Sequence, residues 1–269
     1  MALPTCSLIV ATYNWPAALN LCLQSVARQV VLPKEVLVAD DGSSEETRLL
    51  IERLQKDFPV PLIHVWQPDN GFQKTKILNK AIARAKEPYI VQVDGDVILH
   101  PKFIKDHLTL AAPGRFLAGG RINLSEENTK EVLANSTVFF GLKEILKTSN
   151  LFNGLRSGFL RRLLADRYKL KGKNKYYAKG CNMSFWRQDL LRVNGYNESY
   201  TGWGPEDSEL AARLMNAGIL KRSLKMGGVQ YHLHHTYVDS SRKAINEELL
   251  RTTIQTNITY CAQGLDQYL

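Results

Sequence analysis

Residues 89–96 read Tyr-Ile-Val-Gln-Val-Asp-Gly-Asp, a near-continuous apolar run that stops on two carboxylates separated by a glycine. So short a run, rich in β-branched and aromatic residues, predicts a strand over 89–93 that is buried on both faces, as strands of parallel sheets are. The stretches before it agree. Residues 7–11, 35–39 and 62–66 are further short apolar runs, and the spacing between them predicts helices over 17–29, from Ser43 to about Phe58, and over 73–85. Ser43 with Glu46 three residues on reads as a capping box, and Pro101 opens another helix. This alternation predicts an α/β fold with a mainly parallel sheet flanked by helices on both faces. Ligands of such sheets bind beyond the carboxyl ends of the strands. The polar punctuation falls there: Tyr13-Asn14, Asp40-Asp41-Gly42-Ser43 and Asp94-Gly95-Asp96.

The chain has 269 residues, of which 44% are hydrophobic and 23% charged. That composition excludes disordered, collagen-like and disulfide-scaffold chains. No apolar run approaches the roughly 18–20 residues of a spanning helix. The N-terminal stretch has no basic segment before its apolar run, so no signal peptide is predicted. Cys6, Cys22, Cys181 and Cys261 are scattered without a CxxC, which predicts reduced thiols in a cytoplasmic protein.

The net charge of +9 has one location. Residues 143–179 hold 11 Lys/Arg against 2 acidic residues, so this segment carries the entire imbalance. One basic stretch implies one local partner surface. Phe152, Phe159, Tyr168, Tyr176 and Tyr177 lie within it, but no nucleic-acid recognition module is present, so no nucleic-acid partner is expected. Its apolar pairs Leu151-Phe152 and Phe159-Leu160 point instead to an anionic membrane or a lipid diphosphate, reached as a peripheral protein on the inner membrane face. No GxGxxG follows the first strand, which disfavours a dinucleotide-dependent oxidoreductase.

Asp94-Gly95-Asp96 at a strand end suits a hard divalent cation held between the protein and a diphosphate. Further on, Tyr231-His232-Leu233-His234-His235 follows a predicted strand at 229–231, and His232 and His234 would share a face. Imidazole suits Mn²⁺ beside a carboxylate. In Trp203-Gly204-Pro205-Glu206-Asp207, Pro205 suits the first position of a helix over 206–217, and both carboxylates then sit at the positive end of its dipole. That placement keeps a general base ionised. Gly180-Cys181-Asn182 is expected to line the same cleft, with Asn182 offering a donor and an acceptor to hydroxyls and Cys181 as a small buried hydrophobe. Residues 243–269 have helical spacing and predict a closing helix.

VATYN, VADDGSSEET, GFQKTKILNKAI and VQVDGDV, in this order and spacing, resemble the nucleotide-binding half of inverting family 2 glycosyltransferases of the GT-A fold. NGYNESYTGWGPEDSEL resembles the acceptor motif shared by β-1,4-galactosyltransferases and bacterial chondroitin-polymerase-type enzymes. The resemblance implies a single GT-A domain over 1–269. Residues 1–120 would be its nucleotide-sugar half, 121–178 a basic excursion, 179–240 an acceptor and catalytic half, and 241–269 a helical tail. It implies Tyr13 stacking near a uracil, Asp41 accepting the imide hydrogen, and Asp94 contacting the ribose or sugar. Asp96 would ligate Mn²⁺ or Mg²⁺, as would the histidine directly after the final strand, which favours His232 over His235. Trp203 would wall donor from acceptor, Glu206 would bind substrate and Asp207 would act as base. Two positions depart from the pattern. Ala11 stands where threonine is frequent, and Ile77-Leu78-Asn79 replaces an Ala-Arg-Asn run, leaving Lys76 or Lys74 to supply the positive charge.

The expectation is therefore a metal-dependent inverting transferase using a nucleotide-sugar, a UDP-sugar, on a glycan or lipid-linked acceptor in surface polysaccharide biosynthesis. The rival is a non-catalytic basic protein that docks on a membrane or polyanion.

Overall fold

The computed structural model describes residues 3–138, 151–235 and 241–269. Residues 143–150 of the basic stretch lie outside the described residues. The first part of the chain runs β1 (Cys6–Thr12), α1 (Pro16–Ala27), β2 (Glu35–Asp40), α2 (Glu45–Gln55), β3 (Leu62–Trp66), α3 (Lys74–Arg84), β4 (Tyr89–Asp94), β5 (Val97–Leu99) and α4 (Phe103–Leu110). It continues with β6 (Arg115–Gly119), β7 (Ile122–Asn123), α5 (Glu126–Ala134), α6 (Gly158–Ala165), β8 (Met183–Trp186) and α7 (Arg187–Arg192). Last come α8 (Glu206–Asn216), β9 (Leu220–Leu224), β10 (Gln230–His232) and α9 (Lys243–Gln255).

Among the described residues seven strands form one sheet in the order β3-β2-β1-β4-β8-β6-β9. The first four are parallel, as the strand–helix alternation requires. Where that alternation ends the sheet becomes mixed: β8 runs antiparallel to both β4 and β6, and β9 is parallel to β6. β1 is buried at every position, and its side chains alternate between two cores. Ile9 packs with Leu37, Ile77 and Ile82 on one face, and Leu8 and Val10 with Leu19, Val36 and Phe103 on the other. With β2 on one side of β1 and β4 on the other, the strand order reverses at β1/β4. That reversal opens the crevice in which doubly wound sheets bind ligands.

A second sheet, β5-β10-β7, pairs His232 with Val97 and with Asn123. The chain turns from β4 into β5 through Gly95-Asp96, so this pairing delivers the histidines to the acidic turn.

Two expected helices need correction. Ser43 does not cap α2. Its N–H donates to Asp40 Oδ1 at 2.8 Å and its hydroxyl accepts from the Asn14 N–H at 2.8 Å, so Ser44 becomes the cap and the helix starts at Glu45. The carboxylate ending β2 and the turn after β1 claim Ser43 first. The closing helix over 243–269 ends at Gln255, because Asn257 takes a left-handed conformation (φ 54°) in a run of β-branched residues with low helix propensity. The chain then folds back to bury Cys261 and Leu265.

Candidate active site

A cleft of about 940 Å³ lies at the carboxyl ends of β1, β2 and β4 and continues along the start of α8. Tyr13, Asp41, Asp94, Asp96, Trp203, Glu206, Asp207 and His232, all anticipated from the sequence, line it.

On the β1–β2 side, Asp41 sits just beyond β2. Its Oδ1 accepts from Gln67 Nε2 at 2.6 Å and its Oδ2 from the Gln73 N–H at 2.8 Å. Burial pushes the carboxyl up to about 6, against those two bonds. Tyr13 is half exposed at the cleft mouth, and its hydroxyl donates to Asp69 Oδ2 at 2.9 Å. The turn after Asp41 needs glycine at 42: its φ is 94°, and a Cβ would meet the Asp69 backbone at 2.5 Å.

In the middle, Asp96 Oδ2 lies 3.3 Å from His232 Nε2 and 3.2 Å from His235 Nε2. Ligand atoms of the three residues fall within 4.8 Å of one another. Burial opposes a charge on Asp96, yet bonds from the two imidazoles hold its carboxyl well below the usual range. Its Oδ1 is buried with no hydrogen-bond partner. One carboxylate with an orphaned oxygen and two convergent imidazoles fit a divalent cation of the Mn²⁺ class. His235 belongs to this set together with His232, because the chain curls after β10: the Leu233 N–H donates to the Asp96 carbonyl at 2.9 Å. His234 is exposed, and its backbone N–H donates to Thr129 Oγ1.

On the α8 side, Asp207 is held by two donors. The Gly180 N–H donates to Oδ2 at 2.6 Å, and the Tyr196 hydroxyl donates to Oδ1 at 3.2 Å. Glu206 is buried, with Oε2 unpartnered. Burial pushes both carboxyls up, and Lys74 opposes the shift in each. Lys74 itself donates from Nζ to Asp94 Oδ1 at 2.6 Å. Burial works against its charge, but Asp94, Asp207 and Glu206 together hold its ammonium above the ordinary range. Trp203 is fixed from the tail: Asn246 on α9 donates to the Trp203 and Thr201 carbonyls at 3.0 and 3.2 Å, and Lys243 Nζ stands 5.8 Å over the indole.

Two expected residues do not reach the cleft. Lys76 is absent from its lining, where Lys74 stands instead. One helical turn separates facing positions, so of two lysines two apart only one can face the cleft. Asn182 is fully buried and turned inward. Its Nδ2 donates to the Gly120 and Gly228 carbonyls at 2.6 and 2.9 Å, and its Oδ1 accepts from His107 Nε2 at 3.0 Å. Burial pushes His107 down to about 4, so it is neutral and donates from one nitrogen only. Asn182 thereby anchors the Gly180–Asn182 turn whose first N–H grips Asp207. Cys181 is buried and its thiol is pushed up to about 12 by burial, an inert group.

Lys74, His235, Tyr196 and the Gly180 N–H complete the site. Lys74 had a sequence signal, as a basic residue at the start of a helix. His235 and Tyr196 depended on tertiary geometry.

Each half of the site has counterparts among known proteins. The family model described as Glycosyl transferase family 2 matches residues 7–187, and that described as N-terminal domain of galactosyltransferase matches residues 161–236. The chain belongs to glycosyl transferase family 2. It is similar to chondroitin synthase of Escherichia coli, with 26% identity over 84% of this chain and 34% of that protein. It is also similar to validoxylamine A glucosyltransferase of Streptomyces hygroscopicus subsp. limoneus, with 27% identity over 80% and 49% of the two chains. The chain thus spans half or less of these relatives' length. Its fold matches S. aureus TarS 1–349 in complex with UDP-GlcNAc, with a TM-score of 0.65, 17% identity and coverage of 98% of this chain and 69% of that one. It also matches mannosyltransferase PcManGT from Pyrobaculum calidifontis in complex with GDP-Man and Mn²⁺, with a TM-score of 0.58, 18% identity and 86% and 57% coverage. The fold is that of GT-A glycosyltransferases.

Proposed function

We propose that this protein is a divalent-metal-dependent inverting glycosyltransferase that moves a sugar from a UDP-sugar to a hydroxyl of a glycan or lipid-linked acceptor, in surface polysaccharide biosynthesis in the cytoplasm. The observation that carries the reading is the order of groups along one cleft: Tyr13 and Asp41, then Asp94 with Asp96, His232 and His235, then Glu206 and Asp207.

Asp41 receives the uracil imide hydrogen and Tyr13 covers the ring, while Asp94 contacts the ribose or sugar. Asp96, His232 and His235 would hold Mn²⁺ or Mg²⁺, which when bound offsets charge on the departing nucleoside diphosphate. Lys74, held among three carboxylates, adds the fixed cation. Glu206 directs its unpartnered oxygen to a substrate hydroxyl. Asp207, oriented by the Gly180 N–H and Tyr196 hydroxyl, takes the proton of the acceptor hydroxyl as that oxygen attacks the anomeric carbon from the face opposite the nucleotide. The new C–O bond forms as the bond to phosphate breaks, so an α-linked donor yields a β-glycoside. A raised pKa suits a base that must bind a proton near neutrality.

Calorimetry with UDP tests the reading. UDP is expected to bind with Mn²⁺, far more weakly in EDTA, and without metal enhancement in Asp96→Ala. Unchanged UDP affinity in EDTA would overturn the metal assignment. A screen of nucleotide-sugars for slow metal-dependent hydrolysis then identifies the donor.

A membrane contact for residues 143–179 belongs to the same proposal. The α6 helix has its polarity inverted: Arg161 is buried against Asp106 (2.8 Å), whereas Phe159 is 77% exposed and Leu160 and Leu163 are exposed. An exposed apolar face on a basic segment suits an anionic bilayer surface. Co-sedimentation with liposomes that shows no dependence on anionic lipid would remove this part of the reading.

A further inference from the structure

Beside the main cleft lies a second, smaller cavity of about 250 Å³, bounded by the ends of β6 and β9 and by the segment before β8. Arg121, Lys169, Lys179, Lys221 and Lys225 line it, and among the described residues no carboxylate does. Among the described residues none of these five cations is paired with an acidic side chain. They lean on neutral groups instead. Lys221 Nζ donates to the Asn174 and Tyr177 carbonyls at 2.5 and 3.2 Å. Lys225 Nζ donates to the Phe152 carbonyl and to Asn153 Oδ1 at 3.1 and 2.9 Å. Among the described residues each ammonium therefore uses two of its three N–H groups on neutral acceptors. Arg121 Nε is buried with no partner. Lys169 and Lys179 stand 5.4 and 5.9 Å from the rings of Tyr168 and Tyr177.

Five like charges around one small cavity repel one another, and for Lys221 and Lys225 burial adds to the cost of keeping the charge. Burial pushes Lys221 down to about 8, and burial together with the charge of Lys169 lowers Lys225. A protein surface offers no reason to gather such charges without a counter-charge, and a bound anion supplies it. The volume, equal to about eight waters, admits one sugar-sized or phosphate-sized group.

The position says which substrate carries that group. Arg121, Tyr177, Ala178 and Lys179 line both this cavity and the main cleft. Lys179 immediately precedes Gly180, whose N–H holds Asp207. The cavity therefore opens beside the proposed base, and away from Asp41 and Tyr13.

We propose that this cavity is an anion subsite for the acceptor: it binds a carboxylate or phosphate one unit removed from the hydroxyl that Asp207 deprotonates. Rested on the transferase reading above, this narrows the acceptor class to an acidic saccharide or a phosphate-bearing chain. The residues that recognise it come from both parts of the chain, with Lys169 and Lys179 from the basic segment and Lys221 and Lys225 from β9 and the turn after it.

The test titrates the full chain, in EDTA and without nucleotide, with methyl β-glucuronide, glycerol 3-phosphate and neutral methyl β-glucoside, followed by NMR. At least one anion is expected to bind about tenfold more tightly than the glucoside. A preference for glucuronide identifies a carboxylate acceptor, and a preference for the phosphate a phosphate-bearing one. The double variant Lys169→Gln/Lys225→Gln is expected to weaken anion binding by about fivefold to tenfold, while Lys225→Arg retains it. Asn153→Ala, which cuts the Lys225 contact but keeps the charge, controls for local packing, and the melting temperature of each variant controls for folding. Equal binding of anions and glucoside would overturn the inference. So would full anion affinity in the double variant, since the anion would then sit in the main cleft beside Lys74. UDP affinity with Mn²⁺, measured separately, reports on the donor reading, so either can fail alone.

Discussion

Replacing Gly180 by alanine displaces the proposed base without touching its charge. A Cβ on Gly180 would stand 2.4 Å from Asp207 Oδ1, 2.8 Å from Oδ2 and 2.9 Å from Cγ, where ordinary contact begins at 3.4 Å. The carboxylate must therefore retreat by about 1 Å, and it loses the 2.6 Å bond from the Gly180 N–H as it does so. The turn cannot yield instead, because Asn182 pins it to the Gly120 and Gly228 carbonyls. Alanine is compatible with the backbone, as Gly180 is not in the left-handed region. A misplacement of about 1 Å at a reacting group costs about 10²-fold in rate. The expected result for Gly180→Ala is a transfer rate lower by about that factor, with UDP affinity in the presence of Mn²⁺ unchanged and a melting temperature near that of the parent. Initial rates of UDP release with saturating donor and acceptor measure the first, and calorimetry and thermal unfolding the others. Transfer within a factor of about three of the parent would refute the claim that Asp207, held by Gly180, performs the proton abstraction.

Asp207→Asn keeps the shape but cannot accept the proton, so transfer should fall about 10²- to 10⁴-fold with donor binding retained; Glu206→Gln should act more on acceptor affinity, and the reverse pattern would exchange the two roles. Burial holds Asp41 at about 6, so UDP affinity, which uses its ionised form, should fall as pH drops through 6, by roughly tenfold at pH 5. Stability has the opposite sign. A carboxyl raised on folding from 3.8 to about 6 contributes most below the lower value and loses that contribution as pH rises through the upper one, so the melting temperature of the unliganded protein should decline slightly over this window. If UDP affinity is flat from pH 5 to 7, Asp41 does not touch the base. Asn182→Ala strands the buried Gly228 carbonyl and His107 and the half-buried Gly120 carbonyl, and should cost about 2–3 kcal/mol in denaturant unfolding; a loss of acceptor affinity at unchanged stability would return Asn182 to the cleft.

The first four strands, their parallel order and the acidic turns at their ends were legible in the sequence, because a strand buried on both faces must be apolar throughout and its ligand-facing ends must not be. Asp41, Asp94 and Asp96 stood out for that reason, and Glu206-Asp207 because the pair opens a helix directly after Trp203-Gly204-Pro205. Contacts made across long separations in the chain were not legible. His235 reaches Asp96 because β10 pairs with β5, more than 130 residues earlier, and the chain then curls. Lys74 rather than Lys76 faces the cleft through the rotation of α3 about its axis, which the sheet beneath it fixes. Asn182 carries the same amide whether it meets a sugar or two backbone carbonyls, and only packing chose the carbonyls. The basic segment is the clearest case. Its composition located the charge, but the tertiary structure divided it, sending Arg156 and Arg161 onto the buried Asp106 and turning Lys169 and Lys179 toward a cavity shared with β9. Charge is a property of the sequence; which charges remain without a counter-charge is decided by the fold, since burial and neighbours exist only once the chain has closed on itself.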